Sequence, residues 1–333
     1  MAPDLVKIDV KDRKILYQLD LNCRQSLNEI AKKVGLSKQV VAYRIKRLEE
    51  TGVVRGYITT MDMTKLGFYT WRIYIKFLNP TVESVNEITN YLKKHKHIAY
   101  VVETYGIWDV VFAFVNRSIE EFHTDWREFL SLYRDHVHSK DISYLSELYQ
   151  FRHGYIVNLQ QSDAPYDVLA SPPKQNVAFD GDKLDWNILK AIAGNSRAEL
   201  QAIGQQVNLS AKAVSYRLKN MKKRGVIQSY RALMEESMLG YDVYKVFIGL
   251  RSLTKQKEAE LFTWLRMSPN VLHVTKAIAQ ADYEFELHAS GREDFWRIMN
   301  ELRTKFKDII TTVSTLQYAK VHKVLHIPEV TPV

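Results

Sequence analysis

The sequence predicts an α+β chain with two copies of one module, each a winged helix-turn-helix domain followed by a ferredoxin-like βαββαβ domain. A helix-turn-helix pattern covers Leu27–Tyr57 and returns over Leu200–Tyr230. The offset of 173 residues between the copies holds without a gap over Asp12–Asp109 of the first copy. After each pattern the strands and helices follow the order βαββαβ, which is typical of a four-stranded antiparallel sheet covered by two helices. A gapless offset of this length indicates a duplication.

Each helix-turn-helix pattern follows a first helix, which we expect over Val6–Asn22 with Asp9 as its N-cap. On the last helix of the pattern, Val41, Ile45 and Leu48 recur at helical spacing and therefore point inward. The outward face of that helix is polar and basic. This distribution is typical of a recognition helix that enters the major groove of DNA.

The middle helix of the pattern differs between the copies in its first turn. In the first copy, Ser26 and Glu29 form an S-x-x-E capping box. The second copy has Glu199 and Ala202 at these positions. We therefore expect the middle helix of the second copy to be less well capped.

The ferredoxin-like domains are predicted from alternating apolar runs and helical periodicity. In the first copy we expect strands over Trp71–Phe77, Ile98–Tyr105, Trp108–Val115 and Ile142–Phe151, with helices over Val82–Lys94 and Ile119–Tyr133. In the second copy we expect strands over Tyr244–Leu250, Val271–Ala279, Tyr283–Ala289 and Ile310–Tyr318, with helices over Lys255–Leu265 and Asp294–Phe306.

The remaining segments connect these domains. The β-branched stretch after Gly52 forms either a small wing or a strand that leads to the next domain. Residues 160–180 contain three prolines and predict an extended, semi-rigid linker. The predicted boundaries are 1–60 and 181–233 for the helix-turn-helix domains, 61–159 and 234–327 for the ferredoxin-like domains, and 160–180 for the linker.

Composition narrows the class of partner. The chain of 333 residues has a formal charge of +9 and a pI near 9.3, which indicates a polyanionic partner without separating nucleic acid from a membrane surface. Cys23 is the only cysteine, so an intrachain disulfide is excluded, and a reducing compartment is favoured. No apolar run approaches the roughly 18 residues that a membrane span needs. We therefore expect a cytoplasmic protein without a membrane partner.

The motif V-x-Y-R-[IL]-K-x-[LM] occurs on both last helices, at Val41–Leu48 and Val214–Met221, and G-V-[VI] follows each time. Together with the βαββαβ order, these motifs resemble the Lrp/AsnC family of transcriptional regulators. The resemblance implies sequence-specific binding of double-stranded DNA by the helix-turn-helix domain. It also implies dimerisation, and sensing of a small effector (usually an amino acid), by the ferredoxin-like domain. Most members carry one copy per chain, so the tandem arrangement departs from the family pattern.

The outward residues of the two last helices are the candidates for DNA contact. We expect contacts to base edges or the groove floor from Ser37, Lys38, Gln39, Ala42, Tyr43, Ser210, Lys212, Ser215 and Tyr216. We expect contacts to phosphates from Arg44, Lys46, Arg47, Arg217, Lys219, Lys222 and Lys223, although Arg44 has the alternative of pairing with an acid inside the domain. The alternative for both helices is a basic face that is exposed to solvent and does not bind DNA. The copies differ at three of the base-facing positions, which predicts an asymmetric operator.

A candidate effector site lies at the turn between the second and third sheet strands. Gly106 and Asp109 match the glycine–aspartate turn of the family, and Asp282 keeps the aspartate in the second copy, where Ala279 replaces the glycine. Glycine lets a backbone approach a ligand closely. In the alternative, Gly106 only shapes the hairpin and Asp109 caps it.

Other kinds of site are expected to be absent. The pairs His95/His97 and His136/His138 have the H-x-H spacing of some metal sites, but we expect solvated histidines there and neither a metal nor a cofactor. We expect no catalytic residues. Fused siroheme decarboxylases of the same superfamily carry histidine-asparagine-tyrosine followed by arginine on the second sheet strand, and Ile98–Tyr105 has neither histidine nor arginine. A non-specific architectural DNA-binding protein is a further alternative.

The duplication also predicts the assembly. We expect the two ferredoxin-like domains to pair within the chain as a covalent pseudo-dimer, since the linker keeps the halves at high effective concentration. Crosswise pairing of chains into a larger homo-oligomer is the alternative. An effector bound between the sheets would then change the spacing of the two DNA-binding helices.

Overall fold

The computed structural model describes residues 5–159, 164–172, 179–252 and 254–324. The first helix-turn-helix domain consists of α1 (Val10–Asn22), α2 (Leu27–Val34) and α3 (Lys38–Glu50), followed by β1 (Val54–Met61). The helix α1 begins four residues later than predicted, because Asp9 is the N-cap and forms a capping box with Asp12. Ser26 and Glu29 form the predicted capping box of α2.

The first ferredoxin-like domain has the predicted βαββαβ order. Its elements are β2 (Tyr69–Phe77), α4 (Val82–Lys94), β3 (Ile98–Gly106), β4 (Val110–Asn116), α5 (Ile119–Tyr133) and β5 (Val137–Gln150). The strand β4 begins two residues later than expected. The strand β5 begins five residues earlier, because its first half pairs with β2 and its second half pairs with a strand of the other copy.

The predicted linker is only partly extended chain. Asp167–Ala170 forms the strand β6, which pairs antiparallel with β5. Buried Asp167 lies in an ion pair with Arg152 at 2.9 Å, so this part of the segment is fixed to the folded chain. The linker prediction is therefore wrong for β6, and the prediction for 160–163 and 173–178 lies outside the described residues.

The second copy repeats the first. Its helix-turn-helix domain consists of α6 (Lys183–Ala193), α7 (Leu200–Val207), α8 (Ala211–Lys223) and β7 (Ile227–Met234). Its ferredoxin-like domain consists of β8 (Asp242–Leu250), α9 (Lys255–Met267), β9 (Val271–Ile278), β10 (Tyr283–Ala289), α10 (Arg292–Lys305) and β11 (Ile310–Val324). The strands β8, β10 and β11 begin 173 residues after β2, β4 and β5, so the offset continues beyond the region in which the sequence predicted it.

The two ferredoxin-like domains join into one closed sheet. The strand order is β5-β2-β4-β3 in the first copy and β11-β8-β10-β9 in the second, and the pairs β3–β11 and β9–β5 join the edges. The helices α4 and α5 cover the outside of one half, and α9 and α10 cover the outside of the other. The inner faces meet around Tyr74, Val111, Phe247 and Leu316. The chain therefore contains the intrachain pairing that the duplication predicts.

The two helix-turn-helix domains also share structure. The strand β1 pairs antiparallel with β7, so the segment after Gly52 is a strand that joins the two copies, and we call this pair the β1–β7 ribbon. One continuous apolar core includes residues of both three-helix units. At their boundary Cys23 Sγ lies 2.9 Å from Oγ of Ser196, the equivalent residue of the other copy. Burial raises the pKa of the Cys23 thiol to about 11, which makes this thiol unreactive. Among the described residues, no helix is long and apolar enough to cross a membrane.

Candidate functional site

The recognition helices α3 and α8 are held by their inward faces and by their N-caps. Val41, Ile45 and Leu48 of α3 are buried, as the spacing predicts, and the same is true of the equivalent residues of α8. Ser37 Oγ accepts a hydrogen bond from the N–H of Val40, and Ser210 Oγ accepts one from the equivalent residue of α8. The two hydroxyl groups therefore cap their helices.

The outward faces carry most of the predicted DNA-binding residues. Of the sixteen, the fully exposed ones are Ser37, Lys38, Gln39, Tyr43, Lys46, Ser210, Lys212, Tyr216, Lys219, Lys222 and Lys223. The half-buried ones are Ala42, Arg44, Arg47, Ser215 and Arg217. Tyr43 and Tyr216 are the most prominent, with 68% and 72% of their surface exposed. Each copy thus presents a large aromatic side chain to solvent at the same helical position.

The arginines of these helices bind carboxylates of their own domain. Arg44 Nη1 lies 2.8 Å from carboxylate oxygens of both Asp9 and Asp12. In the second copy Arg217 lies 2.9 Å from Asp182 and 2.7 Å from Asp185. For Arg44 the structure has the alternative contact, with an acid inside the domain, and Arg217 makes the same contact. These ion pairs fasten each recognition helix to the first helix of its unit.

The two recognition helices differ in charge. The last two residues of α3 are the acids Glu49 and Glu50. Glu50 lies 3.5 Å from Lys46, and Arg47 lies 2.5 Å from Asp12, so these two basic residues are paired with acids. The helix α8 contains no acid. Its exposed lysines therefore give the second copy the stronger positive surface.

The predicted effector turn is used by the fold itself. Asp109 accepts hydrogen bonds from the N–H of Phe77 at 2.8 Å and from Lys76 Nζ at 2.6 Å. Asp282 accepts one from the N–H of Leu250 at 2.6 Å. These contacts join each turn to a neighbouring strand, β2 or β8.

Gly106 lies where the two copies approach each other most closely. Its φ is 128°, and a Cβ atom there would lie 3.0 Å from the carbonyl oxygen of Thr315 and 3.2 Å from Cα of Leu316, both on β11. Glycine is therefore needed for the β3–β11 contact. The cavity beside this turn has a volume of only about 60 Å³. An effector role for Gly106, Asp109 and Asp282 remains a prediction.

A larger cavity of about 260 Å³ lies between the inner face of the closed sheet and the β1–β7 ribbon. Both copies contribute to its lining, which combines aliphatic side chains with ionisable ones. Sequence analysis missed this cavity because its walls come from strands far apart in the chain. A usable signal was present, since Glu284 and Glu286 alternate with apolar residues along a predicted strand, and Lys245 lies within another apolar strand.

The ionisable residues at the cavity form a buried network. Glu284 accepts hydrogen bonds from Arg72 at 2.5 Å and from the hydroxyl of Tyr74 at 2.6 Å, and Lys245 Nζ lies 3.6 Å away. Burial, together with the charge of Arg72, lowers the pKa of Lys245 to about 8. The carboxylate thus stabilises two buried cations.

A second carboxylate lies two positions further along β10. Glu286 contacts His273 and His288, each at 3.1 Å, and the hydroxyl of Tyr318 at 2.9 Å. These contacts hold the pKa of Glu286 well below its usual range despite its burial. The Glu286 side chain is therefore an ionised, fully engaged part of the cavity wall.

The two histidine pairs differ in their exposure. His97 is buried and lies 2.6 Å from Asp125, which corrects the expectation of a solvated histidine there. His138 is exposed, as expected. No group of three or more metal-ligating side chains is found in the part of the chain that the structure describes.

Comparisons with known proteins agree with this architecture. A family model described as winged helix-turn-helix DNA-binding matches residues 8–55 and 181–228, which are the two helix-turn-helix domains. The HTH-type transcriptional regulator Ptr1 of Methanocaldococcus jannaschii is 34% identical over 113 residues, covering 34% of this chain and 75% of that protein. The chain belongs to the Lrp/AsnC family of transcriptional regulators.

Two solved structures are similar to this Lrp/AsnC chain. The structure of E. coli AsnC covers 43% of this chain and 94% of its own, with 20% identity and a TM-score of 0.38. The siroheme decarboxylase NirDL covers 96% of this chain and 93% of its own, with a TM-score of 0.61 and 14% identity. At this identity, the likeness to NirDL shows a common tandem fold only.

Proposed function

We propose that the chain is a sequence-specific transcriptional regulator that reads two half-sites of double-stranded DNA with α3 and α8. The observation that carries this proposal is the equivalent pair of exposed tyrosines, Tyr43 and Tyr216, each beside exposed lysines on a capped recognition helix. A single exposed aromatic side chain is common on protein surfaces and indicates nothing by itself. The repetition of the tyrosine at the same position of both copies supports a shared binding role.

Contacts to bases and phosphates divide between different residues of these helices. Lys38, Gln39, Lys212 and the two tyrosines extend from the exposed faces and are suited to base edges. Lys46 and Lys219 lie one turn further along their helices and are suited to phosphates. Since Arg44 and Arg217 are already paired with carboxylates, we assign them a positioning role: they hold the recognition helices for DNA binding.

The β1–β7 ribbon gives the proposal its geometry. The strand β1 follows α3, and β7 follows α8, after turns of a few residues. The ribbon therefore connects the two recognition helices. Two such helices are suited to half-sites about one helical turn of DNA apart, or a multiple of it. Because Lys38 and Gln39 correspond to Ala211 and Lys212, the half-sites are expected to differ.

Regulation by a small effector, such as an amino acid, is the second part of the proposal. An effector bound to the ferredoxin-like domains would have to favour one arrangement of the recognition helices over another. Arg231 of the β1–β7 ribbon forms a buried ion pair with Asp167 of β6 at 3.5 Å, which connects the helix-turn-helix layer to the sheet. Effector binding would therefore change the affinity for DNA.

The test is a titration of DNA at about 150 mM salt, which suppresses purely electrostatic binding. It compares the region upstream of the protein's own gene with scrambled DNA of equal length, for wild type, Tyr216→Ala and Lys219→Ala. We expect wild type to prefer its own region by about 1,000-fold. We expect Tyr216→Ala to remove most of this preference, and Lys219→Ala to weaken binding to both DNAs about fivefold because a phosphate contact is lost.

Matched variants make this result specific. Tyr43→Ala and Lys46→Ala test the first copy, where the acids of α3 predict smaller losses. Tyr105→Ala is the control, because Tyr105 is 71% exposed but lies in the sheet layer. The affinity of this variant for both DNAs should equal that of wild type. Equal weak binding to both DNAs would favour the alternative of a non-specific architectural protein and contradict the proposal.

An enzyme of the siroheme decarboxylase type is a second candidate, favoured only by the tandem fold shared with NirDL. The strand β3 lacks the histidine and arginine of that motif, while β9 has His273 at the position equivalent to Tyr100. His273 contacts Glu286 and is part of the buried network. Conversion of siroheme by the purified chain would support this candidate, and its absence together with specific DNA binding would rule it out.

A further inference from the structure

The central cavity has one apolar wall and one polar wall, because the two copies differ where they line it. Ala113 and Val115 of β4 line the cavity in the first copy. The equivalent residues of β10 in the second copy are Glu286 and His288, which also line it. A cavity with this asymmetry is suited to an amphipathic small molecule.

In the polar part of the cavity, two buried cations share one carboxylate. Arg72 and Lys245 are equivalent residues of the two copies, and both contact Glu284. The residue equivalent to Glu284 in the first copy is Val111, so one carboxylate serves two buried cations. Because a buried charge is costly unless it is well paired, two cations that share one carboxylate favour a further acceptor group beside Arg72 and Lys245.

Two buried polar atoms at the cavity lack hydrogen-bond partners among the described residues. They are Nε of Arg72 and Oε1 of Gln150, and both side chains are more than nine-tenths buried. Buried polar atoms are normally satisfied, so each unpaired atom calls for an explanation. One atom donates and the other accepts, and a ligand with an anionic acceptor and a neighbouring donor would satisfy both.

Both side chains lie beside β9, at positions two residues apart. Gln150 is paired with His273 of β9, and Arg72 contacts Thr275 of the same strand at 3.4 Å. Two residues along a strand span about 7 Å. One small molecule is therefore long enough to reach both.

We propose that this cavity is the effector site, and that it binds a small monocarboxylate with a hydrogen-bond donor and an apolar body. Apolar 2-amino and 2-hydroxy acids belong to this class. The carboxylate binds beside Arg72 and Lys245, the donor binds Oε1 of Gln150, and the apolar body packs against Ala113 and Val115. The inference rests on the proposed function in so far as the ligand regulates DNA binding, and it moves the effector away from Gly106 and Asp109.

The cavity volume limits the size of the ligand. About 260 Å³ lies below the range of roughly 300–1,000 Å³ that drug-sized ligands occupy. This volume fits a molecule of amino-acid size and is too small for a tetrapyrrole macrocycle. The cavity thus separates the effector interpretation from that of a siroheme decarboxylase.

The position of the cavity also explains how a ligand would act on DNA binding. Met61 of β1 and Ala232 of β7 line the cavity from the side of the β1–β7 ribbon. A ligand that contacts both the ribbon and the sheet would favour one position of the ribbon. Because α3 and α8 lead directly into the ribbon, their spacing would change with ligand occupancy.

The test uses isothermal titration and thermal unfolding of the full chain in the absence of DNA, so the result does not depend on DNA binding. The probes are L-leucine, L-methionine, L-phenylalanine and 2-hydroxy-4-methylpentanoate, and uroporphyrin III is titrated in parallel. We expect at least one of the four monocarboxylates to bind and raise the Tm. No binding by any of them, or binding of uroporphyrin III alone, would overturn the proposal.

Three variants locate the binding site. Gln150→Met removes the unpaired oxygen at nearly constant side-chain volume. This variant should bind the probe with about tenfold lower affinity than wild type. Ala113→Leu fills the apolar side and should abolish binding. Gln18→Met is the matched control, because Oε1 of Gln18 is also unpaired among the described residues but lies outside the cavity lining. Unchanged affinity in Gln150→Met and Ala113→Leu, or equal weakening in Gln18→Met, would overturn the proposal.

Discussion

The two helix-turn-helix domains have the same elements but differ in helix capping and in charge. The first unit has the full capping box at Ser26 and an acidic end to its recognition helix. The second unit has Glu199 as an N-cap without a side-chain hydrogen bond, and a recognition helix without acids. The first unit therefore has the better-capped middle helix, and the second unit has the more basic surface. Tandem duplication allows this division, because the two units are always present in equal number.

The same asymmetry extends to the contact between the layers. Asp20 of α1 accepts hydrogen bonds from Arg231 of β7 at 2.5 and 2.8 Å, and from the N–H of His153 at 2.8 Å. The equivalent residues across the pseudo-two-fold axis are Ala193 and Ile58. One side of the molecule is therefore joined by a buried ion pair, and the other has apolar residues.

The largest effect is expected from breaking this ion pair. Asp20→Ala should lower the free energy of unfolding by about 3–5 kcal/mol, because it leaves Arg231 buried without its main partner. Urea unfolding of the full chain measures this loss. The double variant Asp20→Ala/Arg231→Ile reproduces the apolar pair of the other side and should recover most of it. A single variant within about 1 kcal/mol of wild type would show that the ion pair does not matter.

A pH titration tests the second difference between the copies, which is Lys245 in place of Arg72. The pKa of Lys245 is about 8 in the folded chain, below the value of about 10.4 in an unfolded one. Between these values the unfolded chain binds more protons, so the free energy of unfolding contributed by Lys245 rises with pH. Relative to Lys245→Met, wild type should gain about 2 kcal/mol between pH 8 and pH 10.

The control for this titration is Lys219→Met, because Lys219 is an exposed lysine of α8. Its stability should follow that of wild type at every pH. If the curves of wild type and Lys245→Met are parallel from pH 8 to pH 10, then Lys245 does not titrate in this range. The interpretation of Lys245 as a strained, buried cation would then be wrong.

Local features of the fold could be predicted from the sequence, and contacts between the copies could not. Asp9, Ser26 and Gly35 define helix ends through bonds within a few residues, so the sequence contains the whole interaction. The role of β1 depends on β7, a strand about 170 residues away, and a wing was an equally good interpretation. Likewise, the end of β11 was missed because its last residues, up to Val324, pair with β3 of the other copy.

The candidate site shows the same limit. The exposed faces of α3 and α8 follow from helical periodicity alone, and the structure has them as predicted. Glu284 was visible as an acid within an apolar strand, but its partner Arg72 lies 212 residues earlier in the chain. Sequence alone gives no register between such distant strands. The effector turn was predicted from resemblance, and only the structure revealed that its aspartates bind backbone N–H groups.

The smallest effect expected is on the caps of the two middle helices. Ser26→Ala should lower the free energy of unfolding by about 1 kcal/mol, because the N–H of Glu29 loses its acceptor. Glu199→Ser supplies the missing acceptor to α7 and should raise it by about 0.5–1 kcal/mol. Both are measured by urea unfolding. If Glu199→Ser leaves stability unchanged while Ser26→Ala lowers it, the first turn of α7 is already satisfied by solvent, and capping does not account for the difference between the two units.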